Sequence, residues 1–80
     1  MKAKVFVVLK PSILDPQGNA VAEALNTLGY KAVQDVRQGK YFELDIEGEN
    51  AEQVRIMAVE VADKLLANPV IETYRVEVEP

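Results

Sequence analysis

The groups of this chain that could do chemistry are carboxylates, lysines, tyrosines and serine, because the sequence has no histidine and no cysteine. The absence of histidine and cysteine removes the commonest general base near neutral pH and the usual ligands of soft metals. The densest set of carboxylates is an acidic run made of Glu43, Asp45, Glu47, Glu49 and Glu52. A magnesium site needs converging oxygen ligands, whereas these acids alternate with apolar residues, as expected on the solvent-exposed face of a strand. The sequence therefore predicts no catalytic residue, no metal site and no cofactor bound by this chain.

Other polar positions are candidates for contact with a partner protein or an anion. The stretch from Lys10 to Gln17 combines an ammonium group with the free amides of a helix start. Arg37 and Lys40 place cations around a predicted hairpin tip, where they could meet a carboxylate or a phosphate. Both patterns also have a structural explanation: the first is typical of a capped helix start, and the second of a solvent-exposed turn. The candidate partner-binding residues are Lys10, Asp15, Gln17, Arg37, Lys40 and Asn68.

Length and charge limit the class of protein. Eighty residues make a single domain, 1–80, whose core supplies roughly 3–5 kcal/mol, so partner subunits are expected to add stability. A net charge of −4 and a pI of about 4.7 disfavour nucleic acid and anionic membranes as partners. The chain opens on a strand-like segment with no signal peptide and no long apolar run, which predicts a cytoplasmic protein.

Hydrophobic periodicity predicts the elements that position these residues. A strand over 2–10 is followed by a helix from about 16 to 28, capped by Asp15 and ended by a left-handed Gly29. A hairpin over 31–47 turns around Arg37 to Lys40, with Gly39 at positive φ. A second helix begins after Asn50 and closes at Asn68 and Pro69, and a strand covers 70–79.

This order, β-α-β-β-α-β, predicts an α+β two-layer sandwich, with an antiparallel sheet and two helices on one face in a ferredoxin-like arrangement. The other sheet face would then be too apolar to meet water in so small a protein. Its oligomer-interface candidates are Phe6, Val8, Tyr41, Ile71 and Thr73. We therefore expect a homodimer or homotetramer that associates through the sheet.

Fragments spread over the whole chain resemble the PurS family, the small subunit of phosphoribosylformylglycinamidine synthase. They are LDPQG at 14–18, ALNTLGY at 24–30, VRQGKYFEL at 36–44 and LLANPVIETYRVE at 65–77. Each fragment alone is ordinary turn and strand chemistry, whereas their order and spacing together are specific.

The resemblance implies a non-catalytic subunit that joins a glutaminase subunit and an ATP-dependent synthetase subunit in purine biosynthesis. Those partner subunits would use ATP, Mg and glutamine. An ACT-like regulatory module that binds an amino acid shares the predicted element order and stays an alternative. An acylphosphatase-like enzyme shares it too, but needs an arginine between the first strand and first helix, which residues 10–16 lack.

Overall fold

The fold of this chain alternates strands and helices. A computed structural model describes residues 1–79. Its elements are β1 (Lys2–Leu9), α1 (Pro16–Thr27), β2 (Gly39–Asp45), α2 (Ala51–Val61) and β3 (Glu72–Glu79), and a π-helical turn, Ala62–Leu66, extends α2. None of the helices in these residues is long and apolar enough to cross a membrane.

The sheet is antiparallel, with β1 at its centre and the order β2-β1-β3. Its inner face carries Ala3, Val5 and Val7, none of which has any exposed surface. The helix α2 covers this face and buries Val54 and Ala58. The α+β class and the antiparallel sheet that the sequence predicts are therefore confirmed.

The helix boundaries follow the capping residues that the sequence indicates. Asp15 accepts the Gly18 N–H at 2.9 Å, and Pro16 stands in the first turn of α1. Gly29 lies just beyond the helix at φ 102°, a left-handed conformation that glycine adopts without a Cβ clash. Asn50 accepts the Glu52 N–H at 2.8 Å and begins α2.

Among the described residues no fourth strand forms, so the predicted hairpin and the β-α-β-β-α-β order are wrong. Residues 31–38 carry no strand, because their apolar residues do not alternate and their ends are held by turns and side chains. Gly39 does not take positive φ; it opens β2, where a Cβ would lie 2.4 Å from the Val7 carbonyl oxygen. Within residues 1–79 the sheet has three strands.

The helix α1 differs most from its predicted place on the sheet. Within the described residues it makes at most marginal contact with the strands and with α2. The chain measures 49 × 26 × 14 Å, and its radius of gyration of 15.9 Å exceeds the roughly 12 Å of a compact domain of this length. Val21 and Leu28 on this segment stay 41% and 73% exposed. The helix α1 thus extends from the sheet, and within residues 1–79 no strand and no other helix covers its exposed apolar side chains.

The outer sheet face has an aromatic half and a charged half. The ring of Phe6 lies 5.0 Å from that of Tyr41, and the Arg75 guanidinium lies 4.4 Å from the centre of the Phe6 ring. Val8 and Thr73 extend this half, whereas Ile71 lies in the turn before β3. The charged half pairs Lys2 with Glu43 and Lys4 with Glu79. The interface role of these outward residues stays a prediction.

Candidate functional site at one end of the sheet

All of the candidate partner-binding residues lie at the same end of the sheet. There β1 ends at Leu9 opposite Glu72, and β2 begins at Gly39 opposite Val8. We call this end the junction; it comprises residues 10–18, 36–40 and 66–72. Hydrogen bonds link its three segments, and the candidates within it are Lys10, Asp15, Gln17, Arg37, Lys40 and Asn68.

Asp15 is the buried acid of the junction, with 4% of its surface exposed. Its Oδ1 accepts the Gly18 N–H at 2.9 Å, and its Oδ2 accepts the Gln38 N–H at 2.7 Å. The bonds from Gln38 and then Gly18 hold the pKa of the carboxyl below its usual value. Asp15 is therefore charged at neutral pH and accepts a backbone N–H at each oxygen, which fits a structural clamp better than a general base.

Arg37 ties the segment before β2 to the loop after β1. Its Nη2 donates to the carbonyl oxygens of Lys10 and Ile13, both at 3.0 Å. The Lys10 N–H in turn donates to the Ile71 carbonyl at 2.8 Å, which carries the connection to the turn before β3. The cation that the sequence places at an exposed hairpin tip thus binds backbone of its own chain.

Lys40 holds the start of β2 against the end of the second helix. Its Nζ donates to the Leu66 carbonyl at 3.3 Å and lies 3.4 Å from Glu72 Oε2. Glu72 Oε1 accepts the Asn68 N–H at 2.7 Å. Because the Lys40 side chain is 51% exposed, water screens the ion pair, and its contribution to stability is at most about 1 kcal/mol.

The junction contains a cleft of about 300 Å³. It is lined by Leu9, Asp15, Gln17, Gln38, Gly39, Lys40 and Glu72. Its charged groups already bond within the chain: Asp15 to amides, and Lys40 to Glu72. Within residues 1–79 no cluster of acids has the arrangement of a metal site. The cleft thus presents groups that hold the fold, and the prediction that the chain binds no cofactor stays a prediction.

Sequence reasoning missed several members of the junction. Gln38 donates both its backbone N–H to Asp15 and its side-chain Nε2 to Gln17 Oε1, the latter at 2.9 Å. Glu72 joins Lys40 to Asn68. The helix cap at Asp15 is predicted by the sequence, whereas its burial and the bonds to Gln38, more than twenty residues away, have no local signal.

The architecture defines a small α+β domain with a central antiparallel sheet and a projecting helix. A known family, PurS, described as phosphoribosylformylglycinamidine (FGAM) synthase, matches residues 2–80. The chain therefore belongs to the PurS family, as the sequence fragments indicated.

Relatives from distant organisms agree with this assignment. A Bacillus subtilis protein, phosphoribosylformylglycinamidine synthase subunit PurS, is 55% identical over 98% of this chain and 92% of its own length. The protein of the same description from Methanocaldococcus jannaschii is 44% identical over 98% of this chain and 94% of its own. Both relatives thus match along nearly their whole length.

Solved structures show the same fold. Bacillus subtilis PurS has a TM-score of 0.87 and 54% identity, covering 99% of this chain and 98% of that one. A chain in the structure of PurLQS from Thermotoga maritima has a TM-score of 0.87 and 30% identity, covering 95% and 93%. The ACT-like alternative finds no support in these comparisons.

Proposed function

We propose that this chain is the PurS subunit of a phosphoribosylformylglycinamidine synthase complex in purine biosynthesis. The observation that carries the proposal is the likeness, over nearly the full chain, to a chain of the PurLQS structure from Thermotoga maritima. The relatives described as subunit PurS of this synthase support it. The cytoplasm, which the sequence predicts as the location, belongs to the same proposal.

The chain's own contribution is proposed to be surface rather than reactive groups. It has no imidazole or thiol, and its buried carboxylate Asp15 accepts a backbone N–H at each oxygen. A catalytic base must reach a proton on the substrate, whereas the Asp15 carboxylate is only 4% exposed and faces amides of its own chain. In the proposed complex a glutaminase subunit releases ammonia and a synthetase subunit uses ATP and Mg, and this chain holds them together for ammonia transfer.

Self-association is the finer part of the proposal, as a homodimer or homotetramer. The projecting helix α1 needs an apolar partner, because Val21 and Leu28 are exposed. The inner face of β2 is also partly open, since α2 packs on β1 and β3 and leaves Phe42 and Leu44 half-buried. An α1 helix from a second copy would cover that face and complete the two-helix layer.

Sedimentation of matched variants tests where copies meet. Val21→Asp places a charge on the exposed side of α1, and Val8→Asp places one on the outer sheet face, where Val8 is 44% exposed. We expect Val21→Asp to dissociate the oligomer because burial of a charge is costly. Dissociation by Val8→Asp alone would assign the interface to the outer face, and a monomeric unmodified chain would contradict self-association.

Reconstitution tests the assembly role. Glutamine-dependent amidotransferase activity of the glutaminase and synthetase subunits should appear only when this chain is added. A second measurement replaces glutamine by ammonia, because a subunit needed for ammonia transfer should matter far less when ammonia comes from solution. Full glutamine-dependent activity without the chain would rule out the proposed role.

A further inference from the structure

The segment between β1 and β2 lies outside the hydrophobic core. We call residues 11–38 the arm; it contains α1 and the chain that returns from α1 to β2. The buried apolar side chains of the described residues are Ala3, Val5, Val7, Val54, Ala58, Ala62, Ala67 and Val76. None of these side chains belongs to the arm, where the buried residues are Asp15 and Gly18. The arm therefore folds without contributing a buried apolar group to the core.

Hydrogen bonds inside the arm hold α1 against the returning chain at both ends. At the base, the Asp15 carboxylate accepts the N–H groups of Gly18, in α1, and of Gln38, in the returning chain. At the tip, Asn26 Nδ2 donates to the Val33 carbonyl at 3.3 Å. One side chain at each end of α1 thus joins the helix to the chain that runs back to β2.

The arm meets the rest of the chain at its base. The helix α1 makes at most marginal contact with the strands and with α2. The Lys10 carbonyl, at the end of β1, accepts the Ile13 N–H at 2.9 Å and Arg37 Nη2 at 3.0 Å. Because the apolar side chains of the arm are not buried, opening of the arm uncovers little apolar surface, and the hydrophobic effect opposes it only weakly.

We infer that the arm opens and closes as one unit while the sheet and α2 stay folded. Asp15 at the base and Asn26 at the tip make it one unit, because each joins α1 to the returning chain. Segments with little buried apolar surface open at a lower free energy than the core, and they do so in contiguous groups of residues. A partner that contacts α1 therefore shifts the opening equilibrium of the arm and leaves the core folded.

Hydrogen exchange of the isolated chain, resolved for each amide, tests whether the arm opens separately. The Val33 amide, bonded to the Tyr30 carbonyl at 3.2 Å, reports on the arm, and the Val5 amide of β1 reports on the core. Val54 is buried, so Val54→Ala opens a cavity in the core. Because the core stays folded when only the arm opens, we expect this variant to speed exchange of Val5 several-fold and to leave Val33 unchanged.

Variants at the two ends of the arm test whether it opens as one unit. Asp15→Asn weakens the base, and Asn26→Asp sets a carboxylate against the Val33 carbonyl at the tip. Opening of the whole unit exposes both ends, so Asp15→Asn should speed exchange of the distant Val33 amide several-fold. Asn26→Asp should do the same to the distant Gly18 amide. Asn19→Asp, the same exchange at an exposed position of α1, is the control and should speed neither amide.

Two results would overturn the inference. If Val54→Ala speeds Val33 as much as Val5, the arm and the core open together; if the end variants speed only adjacent amides, each bond acts locally. Should Val54→Ala not fold, low concentrations of urea on the unmodified chain decide instead. Exchange of Val5 should then rise more steeply with urea than exchange of Val33, because global unfolding exposes more surface, and equal slopes would deny a separate opening. These readouts use the isolated chain, so they stand apart from the assembly role.

Discussion

Asp15 Oδ2 accepts the backbone N–H of Gln38 at 2.7 Å, and this bond joins the start of α1 to the residue that precedes β2. Because Asp15 Oδ1 also caps α1 through Gly18, one carboxylate fixes both ends of the projecting segment. The geometry of α1 relative to the sheet therefore depends on this side chain.

Replacement of Asp15 should loosen that segment. Asp15→Ala removes both acceptors, and Asp15→Asn turns one of them into a donor that faces a backbone N–H. We expect both variants to lower the Tm. Asp15→Asn keeps one acceptor oxygen, so it should recover at most part of the Tm that Asp15→Ala loses. The control is Asp35→Asn, which changes an exposed acid in the same segment. An unchanged Tm in Asp15→Ala would show that the clamp is not needed.

Acid should weaken the fold through the same group. The folded-state pKa of Asp15 lies below its usual 3.8, because the Gln38 and Gly18 N–H groups favour the charged form. A lowered pKa gives stability that is present above pH 3.8 and is lost as the pH falls through the folded pKa. The Tm difference between the unmodified chain and Asp15→Asn should therefore shrink below pH 3.8. A constant difference down to pH 2 or so would contradict this assignment.

Gly18 should resist the substitution that normally favours helices. Alanine is better than glycine inside a helix by roughly 1 kcal/mol. At Gly18, however, a Cβ would lie 2.1 Å from the Val36 carbonyl oxygen, so we expect Gly18→Ala to cost about 1–3 kcal/mol. Asn19→Ala, at the next and exposed helical position, is the control and should be neutral or stabilising. Denaturant unfolding measures both; a gain in Gly18→Ala would show that α1 and residue 36 are not in close contact.

The sequence correctly predicted the structural features that depend on residues close together in the chain. The caps at Asp15 and Asn50, the end of α1 at Gly29 and the alternation in β2 all rest on residues within a few positions. These signals are local because a cap satisfies amides two or three residues away. Helix limits and the buried face of the sheet could therefore be written down without coordinates.

The predictions that failed concern features that depend on contacts between residues distant in the sequence. The segment 31–38 contains β-like residues, but Gln38 is held by Asp15 and Arg37 by the loop after β1, which leaves no ladder for a fourth strand. The sequence predicts that the apolar stripe of α1 faces its own sheet, whereas the helix projects from it. Periodicity shows that a face is apolar without showing which surface covers it.

Arg37 should control the mobility of the loop after β1. Its planar guanidinium lets Nη2 meet the carbonyls of Lys10 and Ile13 together, which the single ammonium of lysine reproduces less well. We expect Arg37→Lys to speed hydrogen exchange of the Ile13 amide, which bonds to the Lys10 carbonyl at 2.9 Å, while the Tm falls little. Lys31→Arg is the control, because Lys31 is exposed outside the junction. Equal exchange in the unmodified chain and Arg37→Lys would remove this role.

Arg55 should matter more for self-association than for stability. Its bond to the Val76 carbonyl is worth about 0.5–1.5 kcal/mol, so Arg55→Leu is expected to lower the free energy of unfolding only slightly. The same change removes the side chain that covers the free edge of β3 at Val76. The Val76 carbonyl, which points away from β1, could then accept a hydrogen bond from another strand. Arg55→Leu should therefore form larger species by light scattering as concentration rises. Lys64→Leu makes the same exchange of charge for an apolar group at an exposed position away from the edge. If both variants aggregate alike, the cause is the added hydrophobicity and not the loss of the Arg55 side chain from the free edge of β3.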